Sequence, residues 1–198
     1  MTTNMAMTTN MKLNRDVPFP GGSVYFNAET GSITFPLLRI ENQADGPVEI
    51  SWSSAVSGKP QVVSIAPGRT THLSIELNSG GVIRVRHTKT GGSGKAKITS
   101  LDRLVDDVDA QVGGQLYCNQ TTQAVTLNPL RVENTGSSPV QISWSSAPGQ
   151  NQTQIIPPGL EKAFSLNLKP TAVIDYQPVN DGDKCKLKFD CDVVLGAN

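Results

Sequence analysis

Few residues in this chain are of a type and spacing that could do chemistry. Gly91-Gly92-Ser93-Gly94-Lys95 has the glycines and lysine of a phosphate-cradling loop. Such a loop needs a longer gap between its glycines, a Ser or Thr after the lysine, and a helix to follow. Here Ala96 follows and apolar alternation resumes, so the segment reads as a hairpin loop; for the same reason it is no nucleophile elbow. His72 and His87 have no Cys or His partner at metal-ligand spacing. His72 alternates outward as a surface residue, and His87 closes an inward set. Asp102, Asp106, Asp107 and Asp109, and the Asp181-Gly182-Asp183 turn, are oxygen-rich as calcium loops are, yet neither follows a calcium-loop spacing, so both read as solvated acidic loops.

The three cysteines, Cys118, Cys185 and Cys191, are an odd count confined to the second half. Cys185 and Cys191 are too far apart along one strand to bond, and a zinc site would lack its fourth ligand. They read as free thiols made in a reducing compartment. Asn119-Gln120-Thr121 and Asn151-Gln152-Thr153 match the glycosylation pattern, which matters only for a secreted chain. No acid–base pair, activated nucleophile or metal triad converges, so the expectation is a protein that is not an enzyme and needs no cofactor or metal.

The elements that would position any site come from a repeat. Leu38-Arg39-Ile40-Glu41-Asn42 returns as Leu130-Arg131-Val132-Glu133-Asn134, and Pro47-Val48-Glu49-Ile50-Ser51-Trp52-Ser53-Ser54-Ala55 returns as Pro139-Val140-Gln141-Ile142-Ser143-Trp144-Ser145-Ser146-Ala147. Gly21-Gly22 and Tyr25 match Gly113-Gly114 and Tyr117. After one deletion Pro67-Gly68 aligns with Pro158-Gly159, and Lys95 and Lys97 with Lys186 and Lys188. His72 and His87 are replaced by Ala163 and Pro178, which argues further against a role for them in chemistry. A whole domain has been duplicated.

Within each copy, successive side chains on a strand point to opposite faces. Inward sets are Val24/Phe26, Ile33/Phe35, Leu38/Ile40, Val48/Ile50/Trp52, Leu73/Ile75/Leu77, Ile83/Val85 and Ala96/Ile98. The second copy answers with Leu116/Cys118, Val125/Leu127, Leu130/Val132, Val140/Ile142/Trp144, Phe164/Leu166/Leu168, Ile174/Tyr176 and Leu187/Phe189. Trp52 and Trp144 plug the cores. Gly- and Pro-rich turns separate the runs, so seven or eight short strands per copy predict an all-β protein of two tandem β-sandwich domains, Ig-like or jelly-roll-like. The expected layout is a polar arm over 1–16, a first repeat over 17–101, a linker over 102–108, helical or extended, and a second repeat over 109–198.

Formal charge is zero overall, so no field draws in nucleic acid or anionic lipid. Up to Leu101, however, 10 basic side chains face 6 acidic ones, and beyond it 7 face 11, giving ends of +4 and −4. No stretch has the pattern of a signal peptide or a membrane span, which predicts a soluble chain made in the cytoplasm.

Small Gly/Pro-punctuated β domains in tandem behind a Thr/Asn-rich arm resemble the accessory capsid proteins of bacterial viruses: cement, decoration or head-fibre proteins. The resemblance is architectural and spans the whole chain. It implies a virion location and other protein subunits as partners, either a major capsid protein or the chain itself, head to tail or in a closed ring. The arm residues Asn4, Met5, Met7, Asn10, Met11 and Leu13 would then lie along a neighbour. The alternative is a carbohydrate- or ligand-binding module using Tyr25 and Tyr117, which are repeat-matched and outward by alternation.

Overall fold

A computed structural model describes residues 12–53, 59–147 and 150–196. It is all β, with sixteen strands and no helix among the described residues. The chain divides into two compact units, Met1–Ser100 and Leu101–Asn198.

The first unit contains β1 (Asn14–Pro18), β2 (Gly21–Phe26), β3 (Ile33–Asn42), β4 (Val48–Ser53), β5 (Pro60–Ile65), β6 (Thr70–Leu77), β7 (Val82–His87) and β8 (Lys95–Ser100). Its strands pair antiparallel in the orders β1-β8-β3-β6 and β2-β7-β4-β5. The second contains β9 (Arg103–Gln111), β10 (Gly114–Gln120), β11 (Val125–Asn134), β12 (Val140–Ala147), β13 (Gln150–Ile156), β14 (Glu161–Leu168), β15 (Val173–Pro178) and β16 (Cys185–Leu195). Its orders are β9-β16-β11-β14 and β10-β15-β12-β13. Counted from the first strand of its own unit, each domain has the same two sheets, with the first strand beside the eighth and the second beside the seventh. That nesting is the eight-stranded jelly roll, which resolves the sandwich type the sequence left open.

The inward sets meet between the two sheets of each domain. Leu38, Ile40, Leu73, Ile75, Leu77, Ile83, Ala96 and Ile98 are fully buried in the first domain; Val125, Leu127, Leu130, Val132, Val140, Ile142 and Ile174 are in the second. Rings bridge the sheets: Tyr25 meets Phe35 edge-on at 5.1 Å, Trp144 meets Phe164 at 5.4 Å and Tyr176 meets Phe189 at 6.1 Å. Burying one such aromatic contributes about 1.5–3 kcal/mol.

Two segments differ from the sequence reading. Residues 102–108, read as a linker, lie almost wholly in β9, the strand that opens the second jelly roll and pairs with β16. Leu104, Asp106 and Val108 alternate inward there, and the carboxylate at the middle inward position hid the apolar period. Residues 14–16, read as part of the arm, begin β1 and pair with β8.

Two buried asparagines tie together the sheets of each domain. Asn42, at the end of β3, donates its Nδ2 hydrogens to the carbonyls of Gly46 (2.9 Å) and Ile65 (2.8 Å), and its Oδ1 accepts from Ala44 N–H (2.9 Å). Asn134 does the same to Ser138 and Ile156, both at 2.9 Å, with Gly136 N–H as its donor. At the other end of the sandwich, Asn27 donates to Gly31, Leu77 and Asn78, and Asn119 to Gln123 and Leu168. Buried amides are tolerated only when so satisfied. Asn119 is fully buried, so its sequon is a structural turn in the folded chain.

Candidate functional site

The described residues hold no group of three or more His, Cys, Asp or Glu side chains that could hold a metal. Strand β9 separates the acidic cluster: Asp106 turns inward, while Asp107 and Asp109 turn out and Asp109 meets Lys186 at 3.4 Å. Asp183 accepts from Asn180 Nδ2 at 3.1 Å within its own turn. His87 contacts the Val17 carbonyl at 3.3 Å and the Phe19 ring at 5.7 Å, a packing role. His72, expected at the surface, is buried. Alternation tells which face of a strand meets the core, not whether the opposite face is covered.

All three cysteines are free and buried. Burial pushes the Cys118 thiol up, and pushes Cys191 to about 12 with the help of Asp192. Neither is a ready nucleophile.

The arm residues Asn4, Met5, Met7, Asn10 and Met11 lie outside the described residues. Leu13 belongs to the core instead, only 7% exposed. Its N–H donates to Ser100 Oγ at 2.6 Å, and its carbonyl accepts from Ser100 N–H at 2.7 Å. Pairing of β1 with β8 draws the apolar residue just before it into the domain.

The tyrosines are a second correction. Tyr117 is 0% exposed, Tyr25 is half-buried, and Phe26, read as inward, is 58% exposed. The cause is a register shift at the same place in both copies, between Ser23 and Tyr25 and between Gln115 and Tyr117. One extra residue reverses the facing of everything beyond it. Tyr25, Ile83 and Trp52 therefore share one inward row across the sheet, and Tyr117, Ile174 and Trp144 share its counterpart. Cys118 takes the strand facing that matches Phe26, yet it is buried at 2% exposure, in keeping with its reading as a small buried hydrophobe. A buried ring offers no platform for a sugar.

The outer faces carry the remaining candidates. On the sheets holding the first and last strands, Asp16, Lys97 and Glu41 form an acid–base–acid row, repeated by Asp107, Lys188 and Glu133. In the second domain this face holds a shallow depression of about 390 Å³. Four of its charges are paired: Arg103 donates to Asp190 from Nε (2.5 Å) and Nη2 (2.8 Å), and Arg131 to Glu161 at 3.2 Å. Solvated pairs of this kind contribute little stability.

The opposite outer faces have diverged. In the first domain one row runs Ser23, Arg84, Ser51, Val62; its counterpart in the second runs Gln115, Asp175, Ser143, Thr153. The central charge is reversed. In the next row the Arg86–Glu49 ion pair (2.5 Å) becomes the neutral pair Gln177 and Gln141. Among the described residues neither the Arg84 nor the Asp175 side chain has an ion pair or hydrogen bond. Asp175 borders a depression of about 90 Å³ with Ser143, Trp144, Ser145, Asn151 and Val173, and partial loss of solvent raises its carboxyl above the usual carboxylate range.

No known protein-family model matches the chain, and no curated protein matches its sequence. Among solved structures it is similar to an oxalate decarboxylase of Lactobacillus farciminis in a formate complex, at 7% identity and a TM-score of 0.30, over 93% of this chain and 79% of that one. It is also similar to the tandem CBM22 domains of Paenibacillus barcinonensis Xyn10C, at 7% identity and a TM-score of 0.25, over 100% and 90%. Scores this low carry no functional argument.

Proposed function

We propose that the chain is a non-catalytic interaction protein whose two jelly rolls present contact surfaces to other protein subunits, as an accessory component of a virus particle does. The support is the pattern of divergence between the copies. The inward rows are held as Tyr-Ile-Trp in both, and the paired asparagines are kept. One outer face has meanwhile changed from Arg84 and the Arg86–Glu49 ion pair to Asp175 and the neutral Gln177 and Gln141. A duplicated scaffold with a fixed interior and altered exteriors suits two different neighbours.

Electron microscopy and composition of purified assemblies from the native source test this reading. The chain is expected at fixed stoichiometry in an assembled particle; its absence from every assembly would overturn the proposal.

Carbohydrate binding is the second reading, and one observation favours it. Hydroxyls of Ser143 and Ser145, the Asn151 amide and the Asp175 carboxylate surround part of Trp144, a mixture that suits sugar hydroxyls. The fully buried Tyr117 takes no part. A glycan array on the wild-type chain and on Asp175→Asn decides it, with binding lost in the variant expected if it holds.

A further inference from the structure

A second copy of the chain is the partner that the diverged faces fit best, and this inference rests on the interaction role just given. We propose that Arg84 in the first domain of one copy docks into the depression beside Asp175 in the second domain of another.

The two residues occupy the same place in their respective folds, at the centre of one row on the outer face of the sheet built from the second, seventh, fourth and fifth strands. Arg84 stands exposed with no side-chain ion pair among the described residues, whereas Arg86 beside it is held by Glu49. Asp175 is exposed as well, its carboxylate only in part withdrawn from water, with no cation near enough to pair among the described residues. Desolvation without a partner is unfavourable, and a cation arriving from outside relieves it.

The depression has the chemistry for a guanidinium. Its fork pairs bidentately with a carboxylate, and the serine hydroxyls and the Asn151 side-chain carbonyl can accept its remaining hydrogens. Around Arg84, Phe26 is 58% and Val62 56% exposed, giving the apolar contact that a lone ion pair would lack. The +4 and −4 halves favour the same approach over long range.

Sedimentation equilibrium of the full chain at low ionic strength tests the proposal. The wild type is expected to exceed the single-chain mass of 21.1 kDa and to dissociate as salt is raised. Arg84→Asp and Asp175→Arg each place like charges at the contact and should weaken association roughly tenfold or more. The double reversal, and an equimolar mixture of the two single variants, should restore it. Arg84→Gln and Asp175→Asn give the same loss without repulsion, and circular dichroism verifies that every variant folds. A wild type that stays single-chain at its highest soluble concentration would sink the proposal, as would association indifferent to the single reversals or not rescued by the double one. If the chain nevertheless sits in native particles, only this contact fails and the interaction role stands; absence from all assemblies removes both.

Discussion

Asn134 fastens the two sheets of its domain to one another, because its Nδ2 on the β11 side donates to the carbonyl of Ile156 at the end of β13, 2.9 Å away. Asn42 makes the matching bond to Ile65 at 2.8 Å. Replacing either by Ala removes the partner of two carbonyls and one N–H, all buried at Asn42 and the Ile156 carbonyl buried at Asn134. We expect a loss of about 2–4 kcal/mol in each domain, read by urea denaturation. Replacement by Asp should cost more at neutral pH, since one of its oxygens would face carbonyls with no hydrogen to donate.

The facing of the tyrosines makes a paired test. Tyr117→Ala removes a fully buried ring and should destabilise by about 3–5 kcal/mol. Phe26→Ser removes a larger apolar group than most surface changes do, yet it should stay within about 0.5 kcal/mol because the ring is in solvent. The reverse order in thermal melts would restore the alternation read from the sequence.

Gly21 and Gly113 share a φ of +122°. A Cβ at Gly21 would run into the Val85 carbonyl oxygen, and one at Gly113 would lie 3.0 Å from that of Tyr176. Gly21→Ala should therefore destabilise more than Gly113→Ala, both by more than the roughly 1 kcal/mol range typical of Gly→Ala at permissive sites. Chemical denaturation of the two variants gives the ranking.

Thiol reagents provide a further measure. With Cys118, Cys185 and Cys191 all buried and Cys191 pushed to about 12, the native chain should react negligibly at pH 8, and all three thiols should titrate on unfolding. A thiol that reacts quickly in the native state would contradict their placement.

Asp175 has a pH signature. Its carboxyl is raised in the folded state, so between the unfolded and folded values the native chain holds more proton than the unfolded one, and stability falls as pH rises through that window. Asp175→Asn should abolish that decline, gaining a few tenths of a kcal/mol at pH 7 and nothing below the window, since solvent screens much of the side chain. Thermal melts at both pH values under dissociating salt give the comparison.

The fold could be read from the sequence wherever period-two alternation ran without interruption. The runs Val48 to Trp52 and Leu73 to Leu77, and their repeats, identified strands, faces and tryptophan plugs. It could not be read at Val24 and Leu116, because a bulge changes no residue type and only shifts the count. Nor could it be read at β9, where Asp106 fills an inward place. The asparagines were visible as repeat matches, Asn27 with Asn119 and Asn42 with Asn134. Composition assigns such residues to surface turns, so their burial was hidden. The reversed charge at Arg84 and Asp175 was present in the alignment of the copies, but its isolation from counter-charges depends on neighbours that only the sheet register brings together.

The matched bulges also carry a chronology. An irregularity seated at the same step of the same strand in both halves is far more simply inherited than acquired twice, so the ancestral single unit already had its tyrosine turned inside. The difference between Arg84 and Asp175 then belongs to the time after doubling, when the two outer surfaces were free to part while both interiors were held.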